Sequence, residues 1–333
     1  MIGFHLVFLS QIKNASLSHA HPDSYTIAFY NTENLFDFRD DPEILDEGFL
    51  MTSKKRWDRI RYEKKISRIG SAIIKIGDEE LQKPPTLIGL AEVENKRVLH
   101  DLVTHSDLGV FNYGYVHYDS PDERGIDVAL LYDKNEFTLI DSKTITLNVE
   151  NEVGVKDYTR DILLVSGMLG DEKLHLLVNH WPSRHVKTDT TGHKRMFAAS
   201  RIILLLKEIQ EENPDAKVIV MGDFNDTPRN HSMQVLKNSG NLFNPMEKLM
   251  SFKRGSTIHG SKWLLFDQIL MTPNFNSSNG SLKFLKAEIF DAPFLTQNYG
   301  KFKGEPWRTY ISHKYQGGYS DHFPVYIQIK KEN

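Results

Sequence analysis

Short apolar runs that end in polar residues constrain the fold of this chain more than any other feature of its sequence. The runs are rich in β-branched and aromatic residues, which predicts β-strands. They are Tyr25–Asn31, Thr86–Glu92, Asp127–Tyr132, Asp161–Leu169, Leu174–His180, Lys217–Asn225, Trp263–Met271 and Phe323–Ile329. Most of them carry an acid, an amide or a histidine at or near the C-terminal end. We therefore expect sheets whose strand ends present polar side chains.

Two further segments have the apolar spacing of amphipathic helices. In Arg56–Ile76 the apolar residues recur at three- or four-residue steps, and Gly77 follows as a stop signal. Met196–Glu212 has the same spacing, and Pro214 follows it. Because strand runs outnumber helices, the predicted fold class is α/β, with strands gathered in two packed sheets and helices outside them.

The chain organisation predicts one domain. No internal repeat and no Pro- or Ser-rich linker divides the sequence, so a single domain is expected from residue 24 to residue 331. Residues 1–23 are interpreted as a signal peptide or a disordered tail, because Ile2–Ser10 is mostly apolar and small residues stand at 18 and 20. Export to the periplasm or the medium is favoured over a cytoplasmic location, and a monomer without a membrane span is expected.

Composition excludes several kinds of chemistry. The 333 residues include no cysteine, so disulfides, thiolate catalysis and Cys-ligated metal sites are impossible. The formal net charge is −3, so the chain is not a polycation. Binding to nucleic acid, if it occurs, must use a local basic patch.

Four polar segments carry the predicted chemistry. Asp223-Phe224-Asn225 follows the strand VIVMG, Ser320-Asp321-His322 precedes the strand FPVYIQI, and Glu92 and Asn31 each end a strand. Each segment alone is typical of a turn or of a solvated surface group. Together, carboxylate and amide oxygens suit Mg²⁺ or Mn²⁺ better than zinc, and histidines beside carboxylates suit proton transfer. The combination indicates metal-dependent hydrolysis of a phosphoester.

The order of these motifs resembles the endonuclease/exonuclease/phosphatase superfamily, which includes pancreatic-type deoxyribonuclease, apurinic endonucleases, neutral sphingomyelinases and inositol polyphosphate 5-phosphatases. The resemblance spans residues 25–329, and GDFN, FDQIL and SDHFPV carry it. The segments FYNTENLFD, VNHWPSR and GGYSDHFPVY look most like an uncharacterised bacterial branch. The resemblance implies a four-layered α/β sandwich, with two packed mixed sheets flanked by helices.

The resemblance also implies which residues hold the metal and the phosphate. Glu92 would bind Mg²⁺ or Mn²⁺ directly, and Asn31 and Asp321 would complete its shell, partly through water. Asp223 and Asn225 would position the attacking water and bind the non-bridging oxygens. This division is physically reasonable, because phosphoryl transfer needs charge neutralisation and in-line positioning more than covalent help.

Proton transfer is assigned by the same resemblance. His322, oriented by Asp267, would activate the water, as a carboxylate orients a base in other hydrolases. His180 would stabilise or protonate the opposite side, with Asp127 as its carboxylate partner. Whether His322 or Asp223 takes the proton from the water stays open.

Cationic and aromatic residues are the candidates for substrate contact. Arg160 and Arg184 are each predicted to bind a phosphate, although a surface salt bridge is an equal alternative for Arg160. The basic stretch at 54–68 is interpreted as a solvated helix face, with a nucleic-acid contact as the alternative. The aromatic segment 288–318 could line a pocket or stack bases, and Arg308 within it is a further phosphate candidate.

Three functions agree with these observations. The leading one is a metal-dependent phosphodiesterase, most simply a nuclease with nucleic acid as its partner. The second is a phosphatase or phosphodiesterase for a small phosphorylated molecule or a lipid head group. The third is a binding protein that has kept the fold and lost the chemistry. Membership of a superfamily does not fix the substrate.

Overall fold

Two mixed β-sheets pack face to face between two layers of helices. The computed structural model describes residues 24–150, 154–184, 191–277 and 281–332, so the predicted tail at 1–23 lies outside the described residues. The helices are α1 (Arg59–Ile73), α2 (Asp78–Leu81), α3 (Lys96–His105), α4 (Gly192–Glu212) and α5 (His231–Ser239). The strands are β1 (Ser24–Leu35), β2 (Leu87–Val93), β3 (Tyr113–His117), β4 (Asp127–Asp133), β5 (Phe137–Ile145), β6 (Val149–Glu150), β7 (Lys156–Asp157), β8 (Ile162–Leu169), β9 (Glu172–His180), β10 (Lys217–Asp223), β11 (Thr257–His259), β12 (Lys262–Leu264), β13 (Asp267–Met271), β14 (Leu282–Ile289), β15 (Tyr310–Ile311), β16 (Lys314–Tyr315) and β17 (Val325–Lys331).

Each large sheet contains one parallel pair of strands. The first sheet has the order β14-β17-β1-β2-β4-β3, and the second has the order β13-β10-β9-β8-β5. β1 runs parallel to β2, and β9 runs parallel to β10, while the other neighbours are antiparallel. Parallel strands end at the same edge, so Asn31 lies beside Ala91 and Asp223 lies beside His180. The polar strand ends are gathered as the sequence predicts.

The two sheets approach each other closely at Gly89 of β2. A Cβ atom at this position would lie 2.7 Å from Sδ of Met221 on β10 and 3.1 Å from a methyl group of Val178 on β9. A larger residue would therefore push the sheets apart. This close contact keeps the strand ends of one sheet within side-chain reach of the other.

The helices cover the outer faces. Buried residues of α1 and α3 share a core with both sheets, while α4 and α5 pack on the other face of the second sheet around Leu177, Val218 and Val220. The four layers confirm the predicted fold class. Among the described residues, no helix is both long enough and apolar enough to cross a membrane.

Two predicted elements differ from the observed ones. The predicted helix Arg56–Ile76 begins later, because the Asp58 side chain accepts a hydrogen bond from the backbone N–H of Arg61 and caps α1. The predicted single strand Trp263–Met271 is wrong. Its first part, β12, forms a hairpin with β11, whereas its second part, β13, pairs with β10 in the second sheet.

Candidate active site

Asn31 joins the two sheets at the centre of the candidate site. Its side-chain nitrogen lies 3.0 Å from Oδ2 of Asp223 on the second sheet and 3.4 Å from Oε1 of Glu92 on its own sheet. The other carboxylate oxygen of Glu92 accepts a 2.7 Å hydrogen bond from the backbone N–H of Asn34. An amide and two carboxylates from three different strands thus meet in one place.

The backbone is strained around this meeting point. Four non-glycine residues of the site have positive φ angles: Glu33 at 52°, Asn34 at 51°, Glu92 at 61° and Asn225 at 50°. Such conformations are costly for residues with a side chain and persist only where their surroundings hold them. Their concentration at the ends of β1, β2 and β10 is typical of a functional site.

His322 contacts the carboxylate that the sequence predicts as its partner. Nδ1 of His322 lies 2.7 Å from Oδ2 of Asp267, the first residue of β13. Nε2 of the same ring lies 3.9 Å from Oδ2 of Asp223 and 3.9 Å from Oδ1 of Asp321. The ring therefore has the Asp267 carboxylate at Nδ1 and the carboxylates of Asp223 and Asp321 near Nε2. The structure brings the predicted pair together, while its catalytic role stays a prediction.

These contacts set the proton affinities of the site. Burial opposes a charge on His322, but the charge and hydrogen bond of Asp267, helped by Asp223, hold its pKa well above the ordinary value. Burial and the charge of Asp267 raise the pKa of Asp223. A group that can gain or lose a proton near neutral pH is what acid–base catalysis requires.

His180 faces the same carboxylates from the end of β9. Its Nε2 lies 3.7 Å from Oδ2 of Asp223 and 3.9 Å from Oε1 of Glu92. Burial, together with the positive charges of Arg160 and Arg124, holds the pKa of His180 well below its ordinary value. The imidazole is therefore neutral at pH 7, and its Nε2 can donate or accept one hydrogen bond in the candidate site.

The predicted pairing of Asp127 with His180 is wrong. Asp127 begins β4, and its Oδ2 lies 3.0 Å from Nε2 of His117 on the adjacent strand β3, while Oδ1 accepts a hydrogen bond from the Ser120 N–H. Nδ1 of His180 has no hydrogen-bond partner among the described residues, and its Nε2 faces Asp223 and Glu92 instead. Neighbouring strands of one sheet bring Asp127 and His117 together.

The structure gives Arg160 a supporting position. Its guanidinium is buried and donates to the backbone oxygens of His180 and Trp181 at 3.2 and 2.7 Å and to Oδ2 of Asp122 at 3.0 Å. These contacts fix the chain segment that carries His180. The geometry does not favour the predicted contact with a substrate phosphate, because most of the guanidinium donors are already bound.

Arg184 and Arg308 lie nearer to open space. Arg184 donates to the backbone oxygen of Asn225 at 2.8 Å and to the Asp226 carboxylate, and it stacks on Phe266. Arg308 lines a cavity of about 520 Å³ that also reaches Asp321 and His322. Further lining residues are Asn225, Phe266, Lys301 and Phe302. Of the three predicted arginines, Arg308 is the one that lines the same cavity as His322, while its contact with a substrate stays a prediction.

Lys65 and Glu33 form a buried contact that the sequence analysis missed. Lys65 of α1 donates to Oγ1 of Thr309 at 2.6 Å and to the backbone oxygen of Tyr319 at 2.5 Å, and it lies 3.8 Å from Oε2 of Glu33. Glu33 accepts a 2.6 Å hydrogen bond from the Thr309 N–H. Burial raises the pKa of Glu33 and lowers that of Lys65. Lys65 stands next to buried Ile66 on the apolar face of α1. A lysine at such a position was the sequence signal that could have indicated a buried charge.

Two of the four remaining basic residues of α1 lie against aromatic rings. The guanidinium of Arg61 is 4.7 Å from the ring of Tyr315, and that of Arg68 is 4.3 Å from the ring of Trp307. The aromatic segment therefore packs on α1 by cation–π contacts. The basic stretch is not one uniformly solvated face, and part of its charge is unavailable to nucleic acid.

Comparison with known sequences identifies a family. Residues 26–331 match the profile of the Endonuclease/Exonuclease/phosphatase family. The match runs from within β1 to the end of β17 and therefore includes every residue of the candidate site. No curated protein shows significant similarity to the chain.

Solved structures share the fold at low sequence identity. D. rerio TDP2 complexed with single strand DNA product is 14% identical, with a TM-score of 0.57 over 92% of this chain and 99% of that chain. The human nocturnin catalytic domain with bound sulfate anion is 16% identical, with a TM-score of 0.54 over 93% and 95%. An endonuclease/exonuclease/phosphatase from Bacteroides vulgatus is 16% identical, with a TM-score of 0.57 over 93% and 99%.

Proposed function

Because the chain belongs to the endonuclease/exonuclease/phosphatase family, we propose that it is a divalent-metal-dependent phosphodiesterase, most simply a nuclease. The observation that carries the proposal is the cluster of Asp223, Asp267 and His322, whose candidate ligand atoms all lie within 4.8 Å of one another. Asn31 contacts Asp223 of this cluster, and Glu92 adjoins the cluster through Asn31. The cluster combines the acidic oxygens and the histidine that metal-assisted attack of water on phosphorus requires.

The residues present fit a hard divalent cation. The site is rich in carboxylate and amide oxygens, which suit Mg²⁺ or Mn²⁺. Glu92 is the proposed direct ligand, and Asn31 and Asp321 are proposed to complete the shell. In the described part of the chain, the buried Oδ1 of Asp267 has no hydrogen-bond partner, so this acidic site can accommodate further positive charge. When bound, the cation would neutralise the charge that develops on the phosphate.

The side chains of the site are proposed to have separate roles in proton transfer. Asp267 fixes the orientation of the His322 ring through Nδ1, which leaves Nε2 facing Asp223. We propose that the proton of the attacking water passes to the His322–Asp223 pair. His180, held neutral by burial, stabilises a non-bridging oxygen or the leaving oxygen from the other side. Asn225 is held by its hydrogen bond to the Trp181 carbonyl, so it can position the water or a phosphate oxygen.

The distribution of cations supports a diester substrate. A monoester carries nearly two negative charges and calls for several cations around phosphorus. Here Arg160 is buried against carbonyls and Asp122, and Arg184 contacts Asp226, whereas Arg308 lines the cavity. One metal with Arg308, and with Lys301 on the same cavity wall, suits a polynucleotide, in which each diester carries a single charge. The DNA product bound to D. rerio TDP2 makes single-stranded DNA the first polymer to test.

The cavity beside His322 favours a second candidate, a phosphodiesterase or phosphatase for a small molecule. Its volume of about 520 Å³ falls within the range of small-molecule sites. Phe266 and Phe302 could contact a planar or apolar group, and Arg308 could contact a further anionic group. A compact phosphorylated substrate would fit this space.

Rates with matched substrates test the proposal. We expect kcat/KM to be higher for bis(p-nitrophenyl) phosphate and for single-stranded DNA than for p-nitrophenyl phosphate, with all activity lost in EDTA and restored by Mg²⁺ or Mn²⁺. A preference for the monoester would contradict the diesterase assignment. Turnover of the small diester without cleavage of DNA would favour the second candidate. Full activity in excess chelator would reject metal dependence.

A further inference from the structure

A second cluster of candidate ligands lies on the first sheet, apart from the proposed reaction centre. His117 ends β3, Asp127 begins the adjacent strand β4, and Asp119 follows β3 by two residues. Their candidate ligand atoms all lie within 4.8 Å of one another. The proposed mechanism uses none of the three. From this cluster we infer a second divalent-cation site, formed by Nδ1 of His117 and the carboxylate of Asp119, for a transition metal such as Zn²⁺.

The hydrogen bond to Asp127 decides which nitrogen of His117 is open. Asp127 accepts two hydrogen bonds, from the Ser120 N–H at 2.9 Å and from Nε2 of His117 at 3.0 Å. A neutral imidazole carries one proton, so a proton on Nε2 leaves Nδ1 with a lone pair. A histidine that donates one ring N–H to a carboxylate and presents the other nitrogen is the usual arrangement of a metal-binding histidine.

The open nitrogen is buried and faces another acceptor. The His117 side chain has no exposed surface, and Nδ1 has no hydrogen-bond partner among the residues that the structure describes. Oδ1 of Asp119 lies 3.9 Å away, which is too far for a direct hydrogen bond. A lone pair that faces a carboxylate is unfavourable unless positive charge lies between them. A cation bound to both atoms would provide that charge.

The surroundings favour a cation that approaches Asp119 from open space. Asp119 and Asp127 both line a cavity of about 1110 Å³, whose wall carries nine acidic and three basic side chains. Burial, with Asp37 and Asp46 nearby, raises the pKa of Glu94 on this wall to about 8, as expected in a strongly negative environment. The Asp119 side chain is 80% exposed, so it can adjust to an ion that enters from the cavity. Water would occupy the remaining coordination positions.

The donor set indicates a different metal from the one proposed for catalysis. An imidazole nitrogen with a carboxylate oxygen suits Zn²⁺, whereas Mg²⁺ prefers oxygen ligands alone. The cation would hold the segment between β3 and β4, residues 117–127, against the start of β4. It would lie beside the reaction centre but outside it, because Asp127 pairs with Val93, the residue after Glu92.

Zinc titration in excess Mg²⁺ tests this inference without any activity measurement. Isothermal titration of the full chain should show a saturable Zn²⁺ site, and ¹⁵N NMR should show the Nδ1 signal of His117 shifting as the site fills. The Asp119→Asn variant should weaken this binding at least tenfold. The matched control is Asp107→Asn, which alters another exposed aspartate and should bind zinc as the unaltered chain does.

Each other outcome would overturn the inference. If no saturable Zn²⁺ binding is found in excess Mg²⁺, His117 is either protonated or simply a buried ring without a metal. Equal affinity in the Asp119→Asn variant, with an unmoved His117 signal, would place zinc at the reaction centre instead. An equal loss in Asp119→Asn and Asp107→Asn would assign the binding to general acidic charge. Asp119 is exposed, so its substitution does not disturb the core that a change of His117 would affect.

Discussion

Nδ1 of His322 lies 2.7 Å from Oδ2 of Asp267, and the two residues come from different sheets. His322 precedes β17 of the first sheet, whereas Asp267 begins β13 of the second. The pair therefore forms when the sheets are docked. Its geometry matches the histidine–carboxylate arrangement of hydrolases in which a carboxylate fixes the ring that moves a proton.

Replacing Asp267 by asparagine should shift the pH profile in a defined direction. The carboxylate holds the pKa of His322 above its ordinary value against the effect of burial, and together with burial it raises the pKa of Asp223. Loss of the charge lowers both pKa values. Either group must be unprotonated to accept a proton, so the acid limb of kcat/KM should move to lower pH. The plateau kcat should fall by about 10²–10⁴-fold, because the ring loses its orienting anion.

Steady-state rates across the pH range check this prediction, with Asp171→Asn as a control at an exposed surface. An acid limb that moves to higher pH would contradict the stated cause of the pKa shifts. If the Asp267→Asn protein is largely unfolded, but the molecules that remain folded keep a normal kcat, Asp267 is a purely structural residue.

Glu92→Gln should separate metal binding from folding. The side chain keeps its shape and can still accept the hydrogen bond from the Asn34 N–H, but it loses the charge proposed to bind the cation. We expect activity or metal affinity to fall at least roughly tenfold, with an unchanged melting temperature. Glu208→Gln, on the exposed face of α4, is the control. An undiminished Glu92→Gln enzyme would remove Glu92 from the metal site.

His180→Ala should make the protein less sensitive to acid. Burial, with Arg160 nearby, holds the folded-state pKa of His180 below the unfolded value of about 6.5. The unfolded chain therefore takes up the proton first, and the stability that neutral His180 contributes above about pH 6.5 is lost as the pH falls below that value. In the variant, measured in chelator, the free energy of unfolding should drop less between about pH 7 and pH 5.

Denaturant titrations at the two pH values measure this difference. If the variant loses as much stability as the unaltered chain, His180 is not held neutral by the fold. In the same variant, kcat should fall by about 10²–10⁴-fold, because His180 faces the carboxylates of the reaction centre.

Lys65→Met should destabilise the protein far more than Lys64→Met. Lys65 is 1% exposed and contacts Thr309, Tyr319 and Glu33, so its removal leaves the Glu33 charge buried without that partner. Breaking a buried pair in this way costs about 3–5 kcal/mol. Lys64 is exposed, so its substitution should be nearly neutral. Adding Glu33→Gln to Lys65→Met should recover part of the loss; no recovery would contradict the coupling.

The sequence predicts the inner strands better than the edge strands. β3, β5 and β14 were missed, and each lies at an edge of a large sheet. β14 has intermediate or exposed residues at most positions, so its sequence lacks a continuous apolar run. An edge strand has a neighbour on one side, and charged residues there limit unwanted pairing. Inner strands are buried on both faces, which leaves the apolar pattern that a single sequence shows.

The residues of the candidate site were likewise predicted only in part from the sequence. Asp223 and His322 adjoin inner strands, Asp267 begins the edge strand β13, which is nevertheless buried, and the structure brings the three together. The partner of Asp127 could not be found from sequence, because His117 lies on an edge strand that was not predicted. The position of Arg160 depended on carbonyl groups of the neighbouring segment, which leave no trace in residue types. The zinc ligands proposed at His117 and Asp119 were missed because the edge strand that His117 ends was not predicted.

The inner position of β17 in the first sheet has a consequence for synthesis of the chain. β17 lies between β14 and β1, and the segment just before it carries Asp321 and His322. A ribosome that has reached residue 300 has made Asn31, Glu92, His180 and Asp223, yet the first sheet still lacks an inner strand and the candidate site lacks Asp321 and His322. The candidate site is therefore completed only after residue 325, when β17 can pair with β1.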